Sequence, residues 1–378
     1  MTVAHNPFVY DRPLPPTELI DREGEVEHLL VLGEGGHNSR LSAPRRFGKT
    51  TLLRKLLADA EAVGMATVYV DFFGVLSIDE VVVKIEEAYR ASLQGSLRRW
   101  LTEALRTMRP SARLGAPGTA LELSPQLESD AVRLLDRLVD LPKGLFERTG
   151  RRTLVVFDEF QALLRGGDRI DALIRARIQH HTDEASYVFA GSHPGLMAEL
   201  FGARERPLYG QARPLQLGRL EDADLAAYIG DRFERSGREV GAMLEPLLDL
   251  VRGHPQRAML LAHHVWEQTP QGASADEGVW SASLTAAFGE LEEAFERGWR
   301  GFPDSQQRVL AALAWGQEPI YSARTLSRFR LTKGAVQRAL ARLLDVGEVA
   351  RDGRDIQLVD PLFEAWLARG RRGFSPED

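Results

Sequence analysis

The stretch from Ser42 to Leu53, SAPRRFGKTTLL, sets two arginines and a lysine around a glycine, then two threonines, then two leucines. Lysine is rare in this chain. It stands at Lys49, Lys55, Lys84, Lys143 and Lys333, and arginine supplies nearly every other cation. The stretch fits G-x-x-x-x-G-K-[ST] at every position but one, reading Ala43, Pro44, Arg45, Arg46, Phe47, Gly48, Lys49 and Thr50, with Thr51 next. A loop of this kind lies between a strand and a helix N-terminus. Its backbone N–H groups converge on phosphate oxygens, helped by the helix dipole. Gly48 lets the backbone come close, Lys49 reaches the β- and γ-phosphates, and Thr50 offers a hydroxyl to Mg²⁺. Ala43 replaces the first glycine of the pattern, which a residue of negative φ tolerates.

Working outward, SRLSA before the loop predicts a short strand, and TTLLRKLLADAEAVG from Thr50 predicts a helix ending at Gly64. ATVYVDF (66–72) predicts a buried strand, followed by one helix from Ser77 to Met108. Residues 109–122, rich in Pro and Gly, predict a small hairpin or loop insertion. ESDAVRLLDRLVDLPKGLFERTG returns to helix. TLVVFDEF (153–160), SYVFAGS (186–192) and RPLQLG (213–218) predict three more strands. Strands separated by helices imply a parallel sheet covered on both faces.

A second motif belongs with the first. Leu154, Val155, Val156 and Phe157 form an apolar run that delivers Asp158 and Glu159, at the strand end where open α/β sheets bind ligands. Alone, the pair is a solvated strand end. Together with the loop around Lys49, Asp158 becomes a Mg²⁺ holder and Glu159 the group that polarises an attacking water. ATP and Mg²⁺ are the implied cofactors.

Composition narrows the rest. The chain has 378 residues, 44% hydrophobic and 27% charged, enough for two or three domains with cores of their own. A formal net charge of -6 rules out polyanion binding by bulk charge, so any nucleic-acid contact needs a local basic surface. With no cysteine, thiol catalysis, disulfides and cysteine metal sites are excluded. The pairs His180–His181 and His263–His264 are helix neighbours that do not face one site, which argues against a metal. The N-terminus, MTVAHNPFVYDRPLPP, lacks the apolar core of a signal peptide, and no apolar run reaches membrane-spanning length. These features predict a cytoplasmic protein without a membrane partner.

From Glu221 the strands stop. EDADLAAYIGDRFERSG and MLEPLLDLVRGHPQRAMLLAHHVWEQ predict helices broken at Gly253-His254-Pro255, and TPQGASADEG (269–278) a linker. An amphipathic run over 279–299 leads to a unit with winged-helix punctuation. DSQQRVLAALAWG, SARTLSRF capped by Ser322, and TKGAVQRALARLLDVG between Thr332 and Gly347 are its three helices. EVARDGRDIQLV is its hairpin, turning at Asp352-Gly353. In the third helix Val336, Leu340, Leu343 and Leu344 face inward. Lys333, Gln337, Arg338 and Arg342 face outward, as residues that grip phosphates and read major-groove edges of duplex DNA would.

NPF at Asn6 to Phe8, DREGE at Asp21 to Glu25, APRRFGKTTLL, LVVFDEFQ, AGSH, PLYGQA (207–212), GHPQ (253–256) and LVDPLFEAWL (358–367) together resemble the archaeal-type AAA+/STAND P-loop ATPases, similar to replication-initiator-like ATPases. Five strands at 38–42, 66–72, 153–158, 186–191 and 213–217 match an AAA+ core in number. The resemblance implies a five-stranded parallel P-loop core over residues 1–218, a helical lid over 219–275, a linker helix over 276–303 and a winged helix over 304–378. It implies Arg22 near the adenine, Ser192 at the position that senses the γ-phosphate, and Pro255 packed on the base. Arg257 resembles a second sensor with altered spacing, and Arg206 or Arg213 an arginine finger. The function implied is a nucleotide-dependent, DNA-associated ATPase switch that self-associates with ATP. The alternative is a signalling or defence scaffold with slow ATP turnover, whose winged helix contacts protein.

Overall fold

A computed structural model of the chain describes residues 5–108, 125–166, 170–316, 318–352 and 355–369. The insertion expected at 109–122 lies outside the described residues. The chain divides into two compact units, one of Gly24–Ser42 and Leu52–Gln216, the other of Met1–Glu23, Ala43–Thr51 and Leu217–Asp378.

The first unit is an α/β layer structure. In chain order it contains α1 (Glu23–Glu34), β1 (Ser39–Ser42), α2 (Lys49–Ala62), β2 (Ala66–Asp71), α3 (Ile78–Ser92), α4 (Gly95–Met108), α5 (Pro125–Val139), α6 (Leu141–Thr149) and β3 (Thr153–Asp158). Then come α7 (Leu163–Gly166), α8 (Ile170–Ile178), β4 (Ala185–Gly191), α9 (Pro194–Gly202) and β5 (Arg213–Gln216). The sheet runs β2-β3-β4-β1-β5 with every pairing parallel. All five expected strands are present. The central β3 and β4 are buried along their whole length, as strands covered on both faces must be. Phe157, Phe160 and Phe189 pack ring to ring at 4.7 to 6.0 Å and fill the core on one face. Because the strands are parallel, β1 and β3 finish at the same edge, with β4 between them.

Two long helices of the sequence reading are each interrupted. The helix expected over 77–108 stops at Leu93, which is extended at ψ 140°, and restarts at Gly95, whose φ is 56°. The helix expected through 128–150 breaks at Asp140 and ends on Gly150 at φ 65°. Apolar periodicity continues through both breaks, so the pattern alone does not mark them.

The second unit is helical apart from one hairpin. It contains α10 (Asp222–Arg235), α11 (Leu244–Val251), α12 (Pro255–Gln268), α13 (Glu277–Gly301), α14 (Asp304–Ala314), α15 (Ala323–Arg328), α16 (Lys333–Val346), the antiparallel pair β6 (Val349–Asp352) and β7 (Asp355–Leu358), and α17 (Pro361–Ala368). The turn expected at 352–353 reaches residues outside those described. Ser322 and Thr332 cap α15 and α16 by accepting from Thr325 and Ala335 N–H, and Gly347 closes α16 at φ 78°. One apolar core runs from Phe8 through α10–α13 into α14, α16 and α17. Phe8 packs on Phe233 at 5.3 Å, and Phe295 on Phe363 at 5.2 Å and Trp366 at 5.8 Å. Between α11 and α12, Gly253 is required twice over. Its φ is 73°, and a Cβ there would stand 2.2 Å from the Leu220 carbonyl oxygen. Among the described residues no helix is long and apolar enough to cross a membrane.

Candidate functional site

The loop from Ala43 to Thr51 leaves β1 at Ser42 and opens α2 at Lys49. Positive φ in this stretch falls on Arg46 (69°) and Gly48 (81°), not on Ala43. The first-glycine position therefore tolerates alanine, whose methyl is fully buried. Nothing lies within 4 Å of a Cβ built on Gly48, so glycine is needed there for its backbone angle. Lys49 and Thr51 are buried, while Arg45 and Arg46 are exposed.

In the same unit, Phe47 meets the His254 ring edge-on at 4.9 Å. His254 caps α12, accepting at Nδ1 from the Arg257 N–H at 3.4 Å, with Pro255 at the first helical position. Burial, despite the nearby Asp360 carboxylate, pushes His254 down to about 3, so its imidazole is neutral and able to accept. Arg22 is buried and donates from Nη2 to the Gly218 carbonyl at 2.6 Å.

Arg257, the residue that resembles a second sensor, is 1% exposed and forms a two-pronged pair with Asp360, the cap residue of α17. Burial raises the Asp360 carboxyl. The Arg257 hydrogen bonds and charge outweigh it and hold the group below the usual carboxylate range.

In the α/β unit, β3 ends on Asp158, which is buried. Its Oδ2 accepts from the Tyr69 hydroxyl at 2.7 Å and its Oδ1 from the Glu159 N–H at 2.8 Å. Burial first, then the Asp158 charge, raises the Tyr69 phenol well above its ordinary value and keeps it a donor. Glu159 sits at φ 51°, a costly angle for a non-glycine residue. Its Oε2 accepts from Ser192 Oγ at 2.7 Å and from Gln161 Nε2 at 2.6 Å. Gln161 Nε2 also lies 3.2 Å from His193 Nδ1. A Cβ on Gly191 would meet Gln161 Oε1 at 2.4 Å, so this glycine makes room for the glutamine. The structure thus brings Glu159 and Ser192 together. Tyr69, Gln161 and His193 join them without having been singled out, although DEFQ and AGSH contain two of the three.

The remaining expected residues fall as follows. Arg206 pairs with Glu199 and lies 3.9 Å from Asp171, so it is engaged within its own unit, and Arg213 is exposed on β5. On α16, Lys333, Gln337, Arg338 and Arg342 are all exposed, while Val336, Ala339, Leu340 and Leu343 are buried. His181 bonds Tyr187 at 2.7 Å and Asp140 at 3.0 Å, and His263 the Phe8 carbonyl at 2.8 Å.

A family described as a probable winged helix domain matches residues 293–369. A Walker-type ATPase of Pyrococcus abyssi is similar at 18% identity and a TM-score of 0.68, over 95% of this chain and 99% of that one. The ORC2 protein of Aeropyrum pernix, in ADPNP–ADP complexes, is similar at 18% identity and a TM-score of 0.60, over 96% of each chain. Among curated proteins none matches. The fold is that of an AAA+-like P-loop ATPase. In this fold the β2-β3-β4-β1-β5 sheet carries the lysine loop after β1 and the carboxylates at the end of β3, and the winged-helix match begins within α13.

Proposed function

We propose that this chain binds Mg-ATP and hydrolyses it, acting as a nucleotide-dependent switch. The observation that carries the proposal is the loop at 43–51, which opens α2 with Gly48 at φ 81° and Lys49 at the first helical position. The backbone of Ala43, Pro44, Arg45, Arg46, Phe47 and Gly48 cradles the phosphates, Lys49 pairs with them, and Thr51 supports the helix start. Arg22 and Pro255 flank the adenine. Thr50 and Asp158 supply a hydroxyl and a carboxylate, a hard oxygen set that suits Mg²⁺. A bound Mg²⁺ neutralises charge on the transferring phosphoryl group. Glu159 orients the attacking water and takes its proton, and Ser192 positions Glu159 through the 2.7 Å hydrogen bond. Calorimetry with Lys49→Ala tests this. The variant keeps its fold and loses roughly 2–4 kcal/mol of ATP binding, the worth of a charge-assisted phosphate contact. Unchanged affinity would remove the assignment.

The exposed Lys333, Gln337, Arg338 and Arg342 support duplex DNA as the partner of the winged helix. One observation favours the scaffold reading. The Oε2 of Glu159 already accepts two side-chain hydrogen bonds, an arrangement suited to slow turnover. Salt-dependent retention on duplex DNA supports the first reading. Assembly that needs ATP and ignores DNA supports the second.

A further inference from the structure

The helical unit holds a cavity of about 370 Å³ that none of the nucleotide residues named above lines except Arg45 and Arg46. Gly48, Lys49, Thr50, Arg22 and Pro255 are absent from its wall. The two loop arginines, Arg257 of α12, and Glu348 and Asp360 of the winged helix all line it. The charges do not cancel. Asp360 is already engaged by Arg257 through Nε and Nη2, whereas the buried Nη1 of Arg257 has no protein partner. Arg45 and Arg46 form no ion pair among the described residues. Burial, then the neighbouring Asp360, raises the Glu348 carboxyl toward its neutral form against the opposing pull of Arg45 and Arg46, so it offsets their charge only in part.

Leu291, Phe295 and Phe302 add apolar lining, and the Arg257 guanidinium lies 5.6 Å from the centre of the Phe295 ring. Gly298 of α13 also lines the cavity, and no atom lies within 4 Å of a Cβ built on it, so a larger side chain can be placed there without a clash.

We propose that this cavity is a second ligand site, separate from the ATP loop, that takes a small phosphate monoester with an apolar or aromatic body. The guanidinium groups of Arg45, Arg46 and Arg257 Nη1 engage the phosphate, for which arginine's planar fork is suited, and the Phe295–Phe302 wall takes the body. Such a ligand contacts the ATP loop, the lid and the winged helix at once, so it is placed to report on all three.

The test is titration of phenyl phosphate, without Mg²⁺ or nucleotide, into the full chain carrying Lys49→Ala. Phenyl phosphate binds this background as it binds the unmodified chain. Adding Gly298→Phe, which puts a large side chain on a residue that lines the cavity, weakens phenyl phosphate at least tenfold. Gly298→Phe in the unmodified chain leaves ATP affinity within twofold. Arg46→Gln in the Lys49→Ala background weakens phenyl phosphate to a similar degree and decides the matter where Gly298→Phe does not fold. Absence of phenyl phosphate binding, or binding that neither substitution changes, overturns the proposal. Equal losses of ATP and phenyl phosphate in Gly298→Phe also overturn it, because the cavity would then be part of the nucleotide site. Whether Lys49→Ala lowers ATP affinity is read separately, so the two assignments fail independently.

Discussion

Arg257 on α12 and Asp360 at the start of α17 form a forked ion pair across 103 residues of sequence, Nε to Oδ1 at 2.9 Å and Nη2 to Oδ2. The guanidinium is 1% exposed and the carboxylate 22%. Asp360→Asn keeps the cap on α17 but leaves a buried cation without its counter-charge. Breaking a buried pair from one side costs about 3–5 kcal/mol. Chemical denaturation at pH 7 should show a loss of that order. Because the folded carboxyl is held below its usual value, the loss should shrink as pH falls through the folded pKa of Asp360. A variant as stable as the parent at pH 7 would mean that the pair contributes nothing net.

His254 gives a separate pH signature. Its folded pKa of about 3 lies below the unfolded value of 6.5, so below pH 6.5 the unfolded chain takes up a proton that the folded chain refuses. Stability from this group is present above pH 6.5 and declines as pH falls from there toward 3. His254→Gln should flatten the midpoint-against-pH curve between pH 6 and 4, measured by thermal melts. An unchanged curve would refute the assignment.

Glu159→Gln should retain Mg-ATP and slow phosphate release by about 10²-fold or more, as loss of a general base does. Single-turnover assays separate this from a binding defect. Hydrolysis at the parent rate would leave Glu159 a structural residue.

Lys333→Ala combined with Arg338→Ala should weaken duplex DNA binding and flatten its log–log salt slope by about 2 units, one for each phosphate contact. ATPase activity without DNA should stay the same. Parent-like affinity across the salt series would turn α16 toward a protein partner.

β2, β3 and β4 were legible because each is a short apolar run, and β3 announced itself through Asp158 and Glu159, whereas β1 (SRLS) and β5 (RPLQ) carry one leucine each and offer a weaker pattern. The winged helix was legible through punctuation, Ser322, Thr332 and Gly347. The breaks at Leu93 and Asp140 were not, because hydrophobic spacing continues across them. Around Glu159, tertiary proximity did what no local pattern encodes. Tyr69 arrives from the neighbouring strand, and Gln161 folds back through a left-handed turn at Glu159. Arg257 was visible as a residue, but its carboxylate partner lies too far along the chain for spacing to name it.

The chain passes between its two units at 23/24, 42/43, 51/52 and 216/217. Neither unit is therefore a contiguous gene segment, and conventional dissection by truncation will mislead. A fragment ending at Gln216 keeps the five strands but strands nine residues of the lysine loop without the helices they are packed among. A fragment starting at Leu217 forfeits Phe8 and its contact with Phe233. Point substitution probes one unit while leaving the other whole, and a transplanted C-terminal half would arrive without the loop at 43–51 that belongs to its unit.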